Sequence, residues 1–214
     1  MAFETVFAFW LTSMALAIAP GPDNLFVLSQ SALYGRRSGL WVTAGLCSGL
    51  LFHTAAVALG LAALIQASPF AFTLVKFAGA GYLLYLAWGA LRAALHEAPL
   101  GAANQSSTLV SPLLLYRRGV LMNITNPKVT LFFLAFLPQF IAPQGLPVFV
   151  QVGILGVVFM LGTFIVFGLI AFGAGQLGER LQQSTTAQRW LNAIAGTVFT
   201  ALALRLLVAD MEVS

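Results

Sequence analysis

The chain of 214 residues is 60% hydrophobic and only 7% charged, with a mean hydropathy of +0.94. Soluble domains carry about 25% charged residues, so a water-soluble fold is excluded and an all-α integral membrane protein is expected. The formal charge of +4 is small and scattered, which argues against nucleic-acid binding. The single cysteine, Cys47, rules out an intrachain disulfide or a cysteine-based metal cluster.

Six apolar stretches are long enough to cross a bilayer, which takes roughly 20 residues: 5–31, 39–65, 69–91, 119–140, 147–175 and 190–208. In the first, Ala17-Ile18-Ala19 imitates a signal-peptide cleavage site. No Lys or Arg precedes Arg36, however, and Pro20 would follow the cut directly, so the stretch reads as a retained helix. It carries Pro20-Gly21-Pro22-Asp23-Asn24. Pro20 ends an outer half-helix, Gly21 tolerates unusual backbone angles, and Pro22 suits the first position of a new half-helix. Asp23 and Asn24 then fall in its first turn, where unpaired N–H groups carry partial positive charge.

The second stretch contains His53 and the GxxxG spacing Gly45 and Gly49, which reads as close helix packing. Gly79 with Gly81, and Gly168 with Gly173 and Gly175, point to close approach or bending. Residues 93–118 form the one polar linker of any length. They divide the chain into a three-helix repeat at 1–92 and a second at 119–214. Because three is odd, the halves are inverted, and helices one and four are both broken by proline. The break in helix four is Asn123-Ile124-Thr125-Asn126-Pro127-Lys128, with Asn126 as N-cap and Pro127 as first residue. Beyond it, the cluster of Phe132, Phe133 and Phe136 reads as lipid-facing or packing surface.

Basic residues orient the chain. Arg36, Arg37, Arg92, Arg117, Arg118, Arg180 and Arg189 lie on one side, and the connections 66–68 and 141–146 on the other carry no charge. The positive-inside rule puts the basic side in the cytoplasm and both termini outside. Lys76 and Arg205 lie inside outer helix ends, from which they can snorkel. Trp10, Trp41, Trp88 and Trp190 sit near helix ends as interfacial anchors.

Matching breaks in two inverted halves point to the substrate site of a secondary transporter. The candidate substrate-binding residues are Pro20, Gly21, Pro22, Asp23, Asn24, Asn123, Asn126, Pro127 and Lys128. Intramembrane charges are functional candidates, and Asp23 and Lys128 are the pair on which the chemistry is placed. Asp23 also has a plain reading as an acid favoured by the helix dipole, and Lys128 one as half of a permanent Asp23–Lys128 lock between the halves. A cation beside a helix N-terminus opposes the dipole, so Lys128 is expected to pair with Asp23, with a substrate carboxylate, or with each in turn. Asp23 and His53 are the proton-coupling candidates, although hydrogen bonding to a neighbouring helix is the simpler role for His53. His53 and His96 are too far apart in sequence to make a metal site on their own. No catalytic residue, metal or cofactor is expected: there is no phosphate-cradling loop, no HExxH and no dense ligand cluster, and the chain is not read as an enzyme.

The run Ala19-Pro20-Gly21-Pro22-Asp23-Asn24, then Gly35-Arg36-Arg37-Ser38-Gly39 and the small residues from Ala44 to Gly49, resembles the LysE/RhtB family of amino-acid exporters. So does the helix-four break with its continuation Phe132-Phe133-Leu134-Ala135-Phe136-Leu137-Pro138-Gln139-Phe140. The resemblance spans nearly the whole chain. It implies export of amino acids or derivatives such as homoserine, threonine, leucine or lysine, driven by proton exchange. It also implies family roles for Pro20, Gly21, Pro22, Asp23, Asn126, Pro127 and Lys128. The expected protein is a multi-pass exporter of the bacterial inner membrane. Its partners are an amino-acid substrate, protons and the lipid bilayer, with a homodimer left open and no nucleic acid. One acid and one base suit a neutral zwitterion better than lysine. A metal cation is the alternative cargo, and a membrane-embedded enzyme the remoter alternative; the first would call for more carboxylate, His or thiol ligands than this chain offers.

Overall fold

The computed structural model describes residues 1–67, 69–95, 111–142 and 144–208; the side chains of 61–72, 75 and 175–183 lie outside that description. His96 and most of the expected linker also fall outside it. The described residues form helices joined by short turns, without a strand. In lipid this keeps every backbone hydrogen bond within its own segment.

Helices α1 (Phe3–Ile18) and α2 (Pro22–Tyr34) make up the first expected span, bent by 63° at the proline break. Pro22 opens α2, where its missing N–H costs nothing. Gly35, at φ 83°, ends α2 in the left-handed conformation that glycine adopts freely. The chain then enters α3 (Arg36–Ala67) at once. Its 32 residues extend about 48 Å at 1.5 Å per residue, well beyond a hydrocarbon core about 30 Å thick. Arg36 and Arg37 are therefore the first turn of a helix rather than a loop.

After α4 (Pro69–Leu95), α5 (Pro112–Ile124) begins before the apolar run does, so Arg117 and Arg118 are also helical. A 48° bend separates α5 from the other half of the fourth expected span. That other half is no simple helix. Five α-helical residues, α6 (Pro127–Leu131), pass into a π-helical turn over Phe132–Phe136 and a 3-10 turn over Leu137–Phe140. The last two helices are α7 (Val148–Gln183) and α8 (Thr185–Val208), which take in Arg180 and Arg189. Single helices long and apolar enough to span occur at Arg36–Gly60, Val148–Ala174 and Thr185–Val208, and counting each bent pair as one span gives five among the described residues. Helix α4, 27 residues long, stands where the third expected span lies.

Small residues set the packing. Helix α3 lies against α5, α7 and α2, while α1 packs on α7 and α4 on α8. A Cβ on Gly45 would strike the Tyr116 carbonyl, one on Gly119 the Val42 carbonyl, and one on Gly49 would come within 2.6 Å of the Asn123 Cβ. The GxxxG face thus brings the α3 and α5 backbones into contact, and the Tyr116 hydroxyl donates to Ser48 Oγ across the same seam at 2.9 Å. Gly79 meets Ala135 closely, whereas Gly81, Gly168 and Gly173 have open space where a Cβ would go. Close approach is therefore seen at Gly79 and not at Gly81, Gly168 or Gly173, and the surroundings of Gly175 lie outside the description.

Of the two readings of the phenylalanine cluster, packing surface holds and lipid-facing surface does not. Phe132, Phe133 and Phe136 are fully buried and, with Phe9, Phe140 and Phe159, form the aromatic core beneath the second break. Ring centroids lie 5.0 Å apart for Phe132 and Phe136 and 5.1 Å apart for Phe133 and Phe159. The wider π turn shifts the angular spacing of the side chains, so consecutive rings face inward together. Arg205 does not simply reach for the interface; its guanidinium stacks 4.8 Å from the Phe140 ring. Trp41, Trp88 and Trp190 are exposed, as belt residues are.

Candidate functional site

Each break leaves a helix C-terminus with orphan carbonyls facing a helix N-terminus with orphan amides. At the first break, the lysine that answers those carbonyls comes from the other half of the chain. Lys128 is buried, and its Nζ donates to the carbonyls of Leu16 (3.2 Å) and Ala19 (3.1 Å) at the end of α1. Asn24 Nδ2 donates to another orphan, the carbonyl of Ala17, at 2.7 Å. The lysine that opposes the dipole of its own α6 therefore sits at the negative end of α1. Its hydrogen bonds go to backbone carbonyls and not to Asp23, although the two charges still attract each other across the site.

Asp23 is 3% exposed, in the first turn of α2. Its Oδ2 accepts a 2.7 Å hydrogen bond from Asn126 Nδ2, which links the two breaks across 103 residues of sequence. Asn126 works in both directions. Its Oδ1 caps α6 by accepting from the Lys128 backbone N–H at 3.0 Å, which is the N-cap role expected of it. Asp23 Oδ1 and Asn24 Oδ1 are buried without a partner. Pro20, Gly21, Pro22 and Pro127 shape the backbone around this cluster. Gly21 has φ −172° and ψ 176°, extended values open to any residue. What constrains it is room: a Cβ there would come within 3.2 Å of Lys128 Nζ.

His53 projects from α3 to the other open end, that of α5. Its Nε2 lies 3.0 Å from the Asn123 carbonyl, and since a carbonyl only accepts, Nε2 carries the proton. This is the hydrogen-bonded arrangement, with the imidazole ring 5.6 Å from that of Phe133. Asn123 itself is buried beside Gly49, with Oδ1 unpartnered.

Asp23, Asn24, Asn126 and Lys128, grouped from the sequence, also come together in the structure. The carbonyls of Leu16, Ala17 and Ala19 were not foreseen, because a pattern of side chains does not display backbone acceptors. Nor was Gln30, fully buried two turns beyond Asp23 on the same face of α2. A polar residue seven positions from an intramembrane acid was the signal available.

Two discontinuous helices joined through a buried acid, amide and lysine define a polytopic membrane protein of the transporter class. The chain belongs to the LysE type translocator family, whose pattern matches residues 14–210. It is a transporter and not an enzyme. It is 36% identical over 204 residues to an uncharacterized membrane protein of Vibrio cholerae, covering 94% of this chain and 96% of that one. It is 35% identical to the homoserine/homoserine lactone efflux protein of Salmonella typhimurium, over 93% of this chain and 94% of the relative. It is 30% identical to the leucine efflux protein of an Enterobacter species, over 94% and 95% respectively. No solved structure matches the chain.

Proposed function

We propose that this chain is a secondary exporter of amino acids or their derivatives, coupled to protons, in the bacterial inner membrane. It crosses the bilayer six times as two inverted halves with both termini outside. Its substrate site lies where the two breaks meet, lined by Pro20, Gly21, Pro22, Asp23, Asn24, Asn123, Asn126, Pro127 and Lys128. The observation that carries the reading is the buried Asp23–Asn126 hydrogen bond, because it puts an ionisable acid at the joint between the halves. Relatives named as efflux proteins for homoserine, homoserine lactone and leucine support the cargo. A repeat of two halves is supported by the packing: exchanging the halves turns the pairing of α3 with α5 into that of α7 with α1.

The cycle follows from Asp23. Its carboxylate takes either the substrate's ammonium group or a proton, and rocking of one half against the other moves that site between the two faces. Loading from the cytoplasm and release outside, followed by proton binding, returns the transporter. His53 is a second proton site in this scheme, joined to the second break through the Asn123 carbonyl.

Proteoliposomes preloaded with homoserine, threonine, leucine or lysine test the reading. At least one should be exported, and collapse of the proton gradient should slow that export. Indifference to the gradient would contradict the coupling. A cysteine at position 36 on a Cys47→Ala background should label only from the cytoplasmic side; labelling from outside would overturn the orientation.

A further inference from the structure

Resting on the exporter reading, we infer that Thr163, on the unbroken helix α7, is a further substrate-binding residue whose hydroxyl hydrogen-bonds the cargo at the junction of the two breaks. Four serine and threonine side chains are buried among the described residues: Ser13, Ser31, Thr43 and Thr163. Inside a helix such a hydroxyl can turn back on the carbonyl four residues earlier. Ser13 donates in this way to Phe9 at 2.7 Å, Ser31 to Val27 at 2.7 Å and Thr43 to Gly39 at 2.9 Å. Thr163 does not. It lies in the interior of α7, 3% exposed, and its Oγ1 is buried without a partner. A buried hydroxyl left unpaired is costly to keep, and it can both donate and accept.

Thr163 stands where the apolar core divides into two clusters. Phe159, one turn before it, belongs to the aromatic cluster beneath the second break, with its ring 5.3 Å from that of Phe132. Phe167, one turn after it, belongs to the other cluster, together with Ala17 and Val27 from the two sides of the first break. Helix α3 passes between the same clusters from Leu46 to Leu50. There Cys47 Sγ donates to the Met160 carbonyl at 3.8 Å, and Gly49 faces Asn123. On the other flank, a Cβ on Gly162 would meet Met14 Cγ at 3.3 Å, just ahead of the Leu16 carbonyl that Lys128 holds. Residues 160–163 are therefore wedged between α3, beside Asn123, and the end of α1. In this layer Asp23 Oδ1, Asn24 Oδ1 and Asn123 Oδ1 are also buried without a partner. Those three atoms only accept, whereas the Thr163 hydroxyl adds a donor from a third helix. Because α2 and α7 belong to different halves, cargo held by Asp23 and Thr163 together touches both.

The experiment uses the full chain, purified, with the member of the homoserine, threonine, leucine and lysine panel that the wild type exports fastest. Thr163→Val puts a methyl in place of the hydroxyl, and Thr163→Ser keeps the hydroxyl. Thr163→Val should weaken binding of that amino acid about tenfold, roughly 1.4 kcal/mol, while Thr163→Ser should stay within about threefold of wild type. Without cargo, the detergent melting temperature of Thr163→Val should equal or exceed that of the wild type, because an unpaired buried hydroxyl gives way to an apolar group. Wild-type affinity in Thr163→Val, equal losses in both variants, or a lower cargo-free melting temperature would each overturn the inference and leave the exporter reading standing. If the wild type exports no member of the panel, the exporter reading falls and the inference with it.

Discussion

At the level of single residues, the junction depends on which groups meet the carbonyls freed at the end of α1. Lys128 and Asn24 meet four of them, so Lys128 acts as a staple between the halves as well as a charge. Gly21 is the position that leaves room for it. Gly21→Ala should therefore shift Lys128 Nζ, which would lie 3.2 Å from the new methyl, by a few tenths of an ångström and weaken its bonds to the carbonyls. Export should fall about tenfold with a modest drop in detergent melting temperature, since interhelical polar contacts in membranes average about 0.6 kcal/mol. Wild-type export by that variant would show that the staple has no part in transport. Asp23, Asn126 and Lys128 were legible in the sequence because charge and proline inside an apolar span need a reason. The partners of Lys128 were not, because they are main-chain atoms 109 and 112 positions away.

At the level of helices, proline and glycine wrote the most readable signals. Pro22 and Pro127 mark the two restarts where they were expected, and Asn126 caps the second. Gly45 and Gly49 mark the seam between α3 and α5. The ends of α3 and α7 were less readable: polar and basic residues continue a helix past the membrane, and hydropathy falls before the helix does. The π turn at Phe132–Phe136 buries three rings under the break and ends where Pro138, which cannot continue the α ladder, opens the 3-10 turn. The seam predicts a sharp contrast. Gly45→Leu forces a side chain into the Tyr116 carbonyl and should lower the melting temperature by several degrees and reduce insertion. Gly81→Leu, where the space is open, should leave both near wild type. Equal behaviour of the two variants would mean that α3 and α5 are not in backbone contact.

For the whole molecule, three side chains make buried polar contacts at the breaks that join one half to the other among the described residues: Asn126 with Asp23, His53 with the Asn123 carbonyl, and Lys128 with the carbonyls of Leu16 and Ala19. A helical membrane protein has little hydrophobic force to hold helix against helix within the bilayer. In the proposed cycle, polar contacts between the rocking halves are therefore the points where substrate and proton would bias the motion. The proposed inversion rests on the count of spans, whereas the meeting of the two breaks depends on long-range packing that no local pattern encodes. Binding of the best-exported amino acid to purified protein tests that meeting directly, with Asp23→Asn, Asn126→Ala and the double variant compared. If the two breaks form one substrate site, each single variant should weaken binding about tenfold or more, and the double should be little weaker than Asp23→Asn alone, because the pair acts as a unit. A correctly folded Asp23→Asn variant that binds with wild-type affinity would contradict the account.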